Sequence, residues 1–589
     1  MKTFFKFVFA SCLGTILAFV AIGLIFAIIG GIAAAGNKSP VQDGILLLDF
    51  GTPVPEKTGN VATQAFSFDT PSDLGLYRIQ KLIKHAQTDP SVKGIVYKVS
   101  AATPLGLATA SSMRESLKEF RDSTDKFIYT YADFFDNTSY LLASSSDSIF
   151  VNPNGILDIN GYGTMIPFFK GAMEKLGVDM NIFYAGQFKS ATEPFRRKEM
   201  SEQNKIQTRQ YLNDNYQLYL EEVAEARSIS VANLKTMIGE LDLDNTTRAI
   251  ELGLVDGHSH WFEFEDRLRD KLGIKEGKII NYTRLDDYSL DTHIGSGSSK
   301  NRVALVFAEG EVQYDADSKG VITEGEYHKI FDKIRKDKKV KAVVLRVNSP
   351  GGSAFTSDVI WRETKELQAR GIPVIASFGD YAASGGYYIA ASADTIVSHP
   401  KTLTGSIGVF SMMPDLTDFM DNKLGVTFDT VKTSPHAILL SPFFKLNGTE
   451  KNAMQAYTDN MYNQFLDVVA DGRGKSRDEI HQVAQGRVWT GQKASEIGLV
   501  DVLGGIDRAI EIAAEKADLE NYKVVEYPSI KKEFWEEILT EMSRSQRATL
   551  TEHILGKKEG AKVNKTMNEV QSMMKYREPM ARLPFVLTN

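Results

Sequence analysis

The sequence predicts an α/β protein made of two tandem copies of one unit, each with a parallel sheet and crossover helices, after a single N-terminal transmembrane helix. Three observations predict it: an uncharged apolar stretch near the N-terminus, a long internal repeat, and short β-branched runs that alternate with helical segments. At 589 residues the chain exceeds what one ordinary hydrophobic core supports, so two or more domains are expected.

The apolar stretch Phe7–Ala35 contains no charged residue. A helix of this length, at about 1.5 Å per residue, exceeds the roughly 30 Å hydrocarbon core of a bilayer and can span it with tilt. A cleavable signal peptide has a shorter apolar region of about 7–15 residues, so an uncleaved anchor is favoured over cleavage near Ala33–Ala35. Because Lys2 and Lys6 precede the span, we expect the N-terminus in the cytoplasm and the rest of the chain outside it.

Three separated segments of the first half recur in the second half at offsets of 245 to 248 residues. The pairs are Val92–Val99 with Val340–Val347, Asp133–Ile149 with Asp380–Ile396, and Ala249–Asp256 with Ala494–Asp501. Three matches at nearly one offset are hard to obtain by chance, so the chain is interpreted as a tandem duplication.

The domain boundaries follow from the repeat and from composition. The predicted units are the anchor at 1–36, the first α/β copy at 37–294, the second copy at 295–525 and a C-terminal helical extension at 526–589. The Gly/Ser-rich segment Ile294–Lys300 separates the copies. Within a copy, short apolar runs such as Ala342–Val347 and Val374–Ser377 flank a helical pattern near Thr356–Arg370, which is typical of parallel strands joined by crossover helices.

Composition excludes several classes of function. A net charge of −7, from 68 basic and 75 acidic residues, leaves no basic surface for nucleic acid. The single cysteine, Cys12, lies in the apolar stretch, so neither a disulfide framework nor a cysteine-rich metal site is expected. The nine histidines are scattered without an HExxH motif. We therefore expect no metal ion and no cofactor.

Two glycine-rich motifs of the second copy are compatible with acyl-transfer chemistry. Asn348-Ser-Pro-Gly-Gly352 follows a predicted strand, and Ala383-Ser-Gly-Gly-Tyr387 opens a helical segment. A Gly-Gly pair leaves backbone N–H groups unobstructed, and such donors can hold the oxyanion of an acyl-transfer intermediate. Each motif also has a simpler interpretation: the first as a turn, and Ser384 as a helix N-cap.

The duplication divides one site between the two copies. Ser384 corresponds to Asn137 in the first copy, which therefore lacks a serine at that position. Lys189 corresponds to Ala437 in the second copy, which therefore lacks a lysine. Since each copy has lost the residue that the other retains, Ser384 and Lys189 are predicted to act together.

These motifs, with Leu403-Thr-Gly-Ser-Ile-Gly408, Gly486-Arg-Val-Trp-Thr-Gly491 and Gly186-Gln-Phe-Lys-Ser-Ala-Thr-Glu-Pro-Phe195, resemble the signal peptide peptidase A family over nearly the whole chain after the anchor. The resemblance implies a fold related to Clp protease and crotonase. It also implies a serine endopeptidase of the bacterial inner membrane with its body on the periplasmic side. Remnant signal peptides and other apolar unfolded peptides would be its substrates, and a homo-tetramer its assembly.

In the family's long form the serine comes from the second copy and a lysine from the first, which matches Ser384 as nucleophile and Lys189 as general base. A serine hydroxyl needs an adjacent base, and burial must lower the pKa of a lysine from its usual value near 10.4 for it to act as one. Phe188 and Phe195 fit a pocket that excludes water. By resemblance, Ser406 orients the lysine amine. The candidate oxyanion donors are Gly351, Gly352 and Gly385.

Three alternatives stay open at this point. A Ser-His-Asp hydrolase would use His399 or His436, but Ser384 lacks the G-x-S-x-G elbow because Ala382 stands at its first position. A crotonase-like acyl-CoA enzyme would share the fold and the oxyanion glycines without needing a serine–lysine pair or an anchor. A catalytically inactive membrane scaffold is the third.

Overall fold

A computed structural model of the chain describes residues 44–59, 74–240, 246–275, 278–291, 299–314, 320–529 and 580–582. The predicted anchor at 1–36, most of the Gly/Ser-rich segment and most of the predicted C-terminal extension lie outside these residues. Within the described ranges, no helix combines the length and the apolar character needed to cross a bilayer.

The first copy alternates strands and helices along the chain. Its described elements are β1 Gly44–Leu48, α1 Leu76–Thr88, β2 Val92–Val99, α2 Leu107–Ser123, β3 Phe127–Asp136, α3 Asn137–Ala143, β4 Ser148–Asp158, α4 Lys170–Leu176, β5 Asp179–Ala185, α5 Glu193–Arg196, α6 Glu202–Arg227, α7 Val231–Gly239, α8 Thr246–Glu251, β6 Gly257–His258, α9 Trp261–Leu272, β7 Tyr282–Arg284 and α10 Leu285–Asp291.

The second copy follows the same alternation and adds short strands. Its described elements are β8 Arg302–Glu309, β9 Val312–Gln313, β10 Ile322–Thr323, α11 Glu324–Lys336, β11 Val340–Ser349, β12 Gly351–Ser353, α12 Ala354–Ala369, β13 Val374–Ala383, α13 Gly385–Ala390, β14 Thr395–Ser398, β15 Leu403–Gly405, β16 Val409–Asp415, a π-helical turn Phe419–Lys423, α14 Gly448–Arg473, α15 Arg477–Val483, β17 Val488–Thr490, α16 Gly491–Glu496, β18 Val502–Leu503, α17 Ile506–Lys516 and β19 Lys523–Tyr527. Near the C-terminus, β20 is Met580–Arg582.

Each copy is organised around one parallel sheet, and six strands have the same order in both. The order is β7-β1-β2-β3-β4-β6 in the first copy and β19-β8-β11-β13-β14-β18 in the second. Every neighbouring pair in these two runs is parallel. The second sheet adds β15 beside β13 and β17 antiparallel to β15. Strands that correspond to each other in the repeat therefore occupy the same position in the two sheets, as a tandem duplication predicts.

The central strand β11 shows why these sequences form buried parallel sheets. Val343, Leu345 and Val347 pack in one apolar cluster with helices α11 and α12. Ala342 and Val344 pack in a second cluster with α17 on the opposite face. A strand covered on both faces carries a nearly continuous apolar run rather than an alternating one.

A third sheet joins the two copies. Strand β5 of the first copy pairs antiparallel with β16 of the second, from Val409 opposite Ala185 to Asp415 opposite Asp179. The whole sheet has the order β10-β9-β12-β20-β16-β5. Because the pairing ends at Ala185 and Val409, the residues that follow the first and those that precede the second meet at one end of this sheet.

Candidate active site

Ser384 stands in a sharp turn between β13 and α13. Its φ of 57° and ψ of −118° lie in a region that non-glycine residues rarely adopt, a strain typical of functional positions. Its backbone N–H donates to the carbonyl of Gly405 at 2.8 Å. A side chain at Gly386 would place Cβ 2.7 Å from the carbonyl oxygen of Ser349, so the turn requires glycine there. The Ser384 hydroxyl makes no helix-cap hydrogen bond, which contradicts the simple N-cap interpretation.

Lys189 lies in the loop that follows β5. Its backbone N–H donates to the carbonyl of Gly186 at 3.1 Å, and the N–H of Phe188 donates to the carbonyl of Gln485 at 2.9 Å. Gly486 has a φ of 77°, and a Cβ there would lie 2.7 Å from the Cβ of Lys189. Glycine at this position therefore lets the loop of the first copy pass directly against the second copy.

The structure brings Lys189, Ser384 and Ser406 together. Lys189 Nζ lies 2.7 Å from Ser384 Oγ, 3.1 Å from Ser406 Oγ and 3.2 Å from the Ser406 carbonyl oxygen. The lysine follows β5 and Ser406 precedes β16, so the antiparallel pairing of these two strands accounts for the meeting. The amine can therefore exchange a proton with the Ser384 hydroxyl while Ser406 holds it in place.

The lysine is enclosed and has no carboxylate partner among the described residues. Its relative exposure is 1%, and Ser384 and Ser406 are fully buried. The ring of Phe410 lies with its centroid 5.9 Å from Nζ. Burial alone holds the pKa of Lys189 well below its usual value, because removing the ammonium group from water penalises its charged form.

A second buried lysine, Lys401, differs from Lys189 because it has a carboxylate partner. Lys401 is equally enclosed, but its Nζ lies 2.8 Å from Glu222 of the first copy. Burial lowers the pKa of Lys401, and the attraction of Glu222 opposes that shift. Among the described residues, no carboxylate compensates Lys189 in this way, so burial lowers its pKa unopposed.

The candidate oxyanion glycines follow the ends of two paired strands, β11 and β13. Gly351 and Gly352 form part of β12 with φ of 100° and 153°, and a Cβ on Gly352 would lie 1.9 Å from the carbonyl oxygen of Val312. Gly385 begins α13, directly after Ser384. The N–H of Gly351 donates to Ser349 Oγ at 3.2 Å in this structure. Its amide would have to leave that hydroxyl in order to hold an oxyanion.

Neither candidate histidine is placed to serve Ser384. His399 Nε2 lies 3.6 Å from Glu115, and its Nδ1 accepts from the N–H of Lys401. His436 is half-exposed, with Nδ1 2.9 Å from Glu450. Within the described residues, the side-chain partner of the Ser384 hydroxyl is Lys189. The arrangement therefore disfavours the Ser-His-Asp alternative.

In the first copy, the residue that corresponds to Ser384 is Asn137, and its side chain is hydrogen-bonded to the backbone. Asn137 Nδ2 donates to the carbonyl of Gly161 at 2.9 Å, and its Oδ1 accepts from the N–H of the same residue at 3.2 Å. Asp136, at the equivalent of Ala383, caps α3 by accepting from the N–H of Ser139. The first copy thus uses this turn for structure.

Two residues near the lysine escaped the sequence analysis. Gln207 of α6 is fully buried, and its Nε2 donates to the Phe188 carbonyl at 3.1 Å and to Ser190 Oγ at 2.9 Å. Its Oε1 accepts from the N–H of Val488 in the second copy at 3.2 Å. A polar residue inside a long helix gives no motif to detect. Phe410 is the second residue, whereas the predicted apolar neighbours Phe188 and Phe195 are only half-buried.

Comparison with known proteins identifies the family. The profile of Peptidase family S49 matches residues 119–275 and 366–520, one match in each copy. The chain belongs to peptidase family S49. It is 32% identical over 577 residues to Protease 4 of Salmonella typhi, covering 95% of this chain and 92% of that protein. It is 30% identical over 457 residues to the chloroplastic serine protease SPPA of Arabidopsis thaliana, covering 76% and 66%.

Among solved structures, ClpP1 from Listeria monocytogenes is 14% identical with a TM-score of 0.21, covering 34% of this chain and 91% of that one.

Membership of family S49 makes the protein a serine peptidase, a hydrolase that acts on peptides. The acyl-CoA enzyme and the inactive scaffold predicted as alternatives are not supported by these relatives.

Proposed function

We propose that this protein is a membrane-anchored serine endopeptidase that uses a Ser384–Lys189 dyad to degrade released signal peptides and other apolar unfolded peptides. The observation that carries the dyad is the 2.7 Å separation of Lys189 Nζ from Ser384 Oγ in a buried setting, with no carboxylate of the described residues acting on the amine. A lysine that burial keeps neutral is a competent general base for a serine hydroxyl.

The mechanism follows from this geometry. Neutral Lys189 accepts the Ser384 proton as Oγ attacks the peptide carbonyl, and then returns it to the leaving amine. Ser406, with its hydroxyl and carbonyl both near Nζ, holds the amine toward Ser384. Backbone N–H groups of Gly351, Gly352 or Gly385 would hold the oxyanion of the tetrahedral intermediate. Water then attacks the acyl-enzyme, with the lysine again as base.

Apolar side chains on both sides of the β12–β16 region support a preference for apolar peptides. On the β16 side, Phe410 and Met412 form one apolar cluster with neighbours from the first copy. On the β12 side, Tyr314 and Phe355 are more than half exposed and meet edge to face, with ring centroids 5.6 Å apart. Exposed aromatic pairs are suited to contact apolar side chains of a bound peptide.

The proposed location rests on the N-terminal sequence. The uncharged stretch Phe7–Ala35, preceded by Lys2 and Lys6, would anchor the protein in the inner membrane of a bacterium with its body on the periplasmic side. Remnant signal peptides are released in that membrane. We propose a homo-tetramer as the assembly, which light scattering on the detergent-purified full chain would test.

Labelling with a fluorophosphonate probe tests the dyad. Wild type should be labelled, Ser384→Ala should not be labelled, and Lys189→Ala should be labelled far more slowly. Asn137→Ala is the matched control, because it alters the position that corresponds to Ser384 in the first copy and should leave labelling unchanged. Labelling of Lys189→Ala at the wild-type rate would contradict the role of the lysine.

A further inference from the structure

The side chain of Gln207 holds the chain on both sides of Lys189. Its Nε2 group donates to the carbonyl oxygen of Phe188 at 3.1 Å and to Ser190 Oγ at 2.9 Å. Phe188 and Ser190 are the neighbours of Lys189 in a loop that forms neither helix nor strand. Because Gln207 is fully buried, water does not compete for these bonds. The two bonds therefore restrict where the lysine side chain starts.

The oxygen of the same amide bonds the part of the second copy that supports the two serines. It accepts from the backbone N–H of Val488 in β17 at 3.2 Å. Val488 is opposite Gly405 in the pairing of β17 with β15, and the Gly405 carbonyl accepts from the N–H of Ser384 at 2.8 Å. The carbonyl of Arg487, the preceding residue, accepts from the N–H of Ser406 at 2.7 Å. One side chain thus joins the loop of the lysine to the backbone that holds both serines.

The partners of the Gln207 amide fix its orientation. The buried Glu193 accepts through Oε2 from Asn204 Nδ2 at 3.0 Å, so Asn204 presents its oxygen to Gln207 Nε2 at 3.3 Å. On the other side, the Phe188 carbonyl can only accept and the Val488 N–H can only donate. All of these partners require the nitrogen toward the lysine loop and the oxygen toward β17. A side chain that cannot both donate and accept does not fit this place.

We propose that Gln207 is a positioning residue for peptide hydrolysis, which sets the 2.7 Å separation of Lys189 Nζ from Ser384 Oγ by bonding both copies. The inference rests on the proposed action of these two residues as a dyad. The pairing of β5 with β16 brings the copies together but ends at Ala185, so the loop beyond it needs further bonds to hold its place. A displacement of about 1 Å in a catalytic group can cost about 100-fold in rate.

Gln207→Met tests the proposal in the full chain purified in detergent. The variant keeps the length of the side chain and removes both hydrogen-bonding groups. For an apolar fluorogenic peptide, kcat should fall by about 100-fold with little change in KM, because only the transition state needs the exact placement of the base. Labelling by a fluorophosphonate probe should slow to a similar extent. Asn215→Leu is the matched control, since Asn215 is equally buried in α6 but its side chain has no hydrogen-bond partner among the described residues, and this variant should keep wild-type kcat.

Gln207→Glu gives a readout that a merely structural role would not move. A protonated carboxyl can still donate to the Phe188 carbonyl and accept from the Val488 N–H, whereas an ionised one presents only acceptors. Burial raises the pKa of the introduced carboxyl, so it ionises at a higher pH than an exposed one. Activity of this variant should therefore rise with pH and then fall, while that of wild type rises to a plateau. A residue needed only for folding would lower activity by the same factor at every pH.

Denaturant unfolding of each variant shows whether it is folded. Wild-type kcat in a folded Gln207→Met, a raised KM with unchanged kcat, or an equal loss in Asn215→Leu would overturn the inference. If Gln207→Met did not fold, a Gln207→Glu profile parallel to that of wild type would overturn it. Labelling of Lys189→Ala separates two failures. If that variant were labelled as fast as wild type, the dyad itself would fail; if it were labelled slowly and Gln207→Met at the wild-type rate, only this inference would fail.

Discussion

Replacing Lys189 by methionine should change the pH dependence of stability in a way that reports its buried charge. The substitution keeps an unbranched apolar side chain of similar length and removes the amine. Burial lowers the pKa of Lys189 in the folded protein, whereas in the unfolded chain the pKa returns to about 10.4. Between these two values the unfolded state binds more protons, so the stability of wild type falls as pH is lowered from about 10.4 toward the folded-state pKa.

The magnitude follows from the contacts of the amine. Above about pH 10.4 both states hold a neutral lysine, and the variant lacks only the contacts to Ser384 and Ser406. At about 1 kcal/mol per hydrogen bond, Lys189→Met should then be about 1–3 kcal/mol less stable than wild type. Below that pH the difference in the free energy of unfolding between wild type and variant should decrease by about 1.4 kcal/mol per pH unit. The variant should therefore become the more stable protein within roughly two pH units.

The difference in stability between Lys189→Met and wild type can be measured by denaturant unfolding at several pH values between 7 and 11. Fluorescence and fluorophosphonate labelling monitor the unfolding. Lys401→Met is the matched control, since that lysine is equally buried but bonded to Glu222. Removing one partner of a buried ion pair destabilises a protein by about 3–5 kcal/mol, so this variant should be less stable than wild type at the neutral end of the series, where Lys401 is charged. If the difference between Lys189→Met and wild type did not change with pH, Lys189 would not be a buried base of lowered pKa.

Three further predictions concern activity and topology. Hydrolysis of a peptide substrate should rise with pH until Lys189 is deprotonated, and His399→Ala and His436→Ala should leave that pH profile unchanged; loss of the profile in either variant would favour a histidine base. Gly486→Ala should lower kcat/KM by about 100-fold by displacing Lys189, whereas Gly425→Ala, also at positive φ but with open space around it, should not; equal effects would contradict the close-approach argument. Protease added to intact spheroplasts should digest the body of the protein, and full protection would overturn the proposed periplasmic location.

Much of the architecture could be predicted from the amino-acid sequence. The repeat between Asp133–Ile149 and Asp380–Ile396 predicts two equivalent sheets, and the structure has six strands in one shared order. The predicted helix near Thr356–Arg370 is α12, Ala354–Ala369, and Ser353 is its N-cap because that hydroxyl accepts from the N–H of Thr356. Such elements are readable because their signals are local: apolar periodicity, capping residues and glycines at fixed offsets.

The third sheet could not be predicted from the sequence in the same way. No pattern in Asp179–Ala185 or Val409–Asp415 reveals that these strands belong to one sheet, since their partner lies in the other copy. The strand at Met580–Arg582 falls in a segment for which the sequence predicted a helical extension. Antiparallel pairing between distant strands depends on the packing of whole copies, so it leaves little trace in either strand alone.

The amino-acid sequence by itself determined that two copies exist and that each lacks a residue that the other keeps, and from this it predicted that Ser384 and Lys189 act as a pair. The tertiary structure alone decided that their side chains meet at 2.7 Å, across 195 residues of chain. It also decided that the amine is enclosed beside Phe410, with no carboxylate partner among the residues that the structure describes, and that Gln207 secures its loop. The reason is physical: residue types and spacing are properties of the chain, whereas the charge state of a lysine depends on how much water and which charges the fold leaves around it.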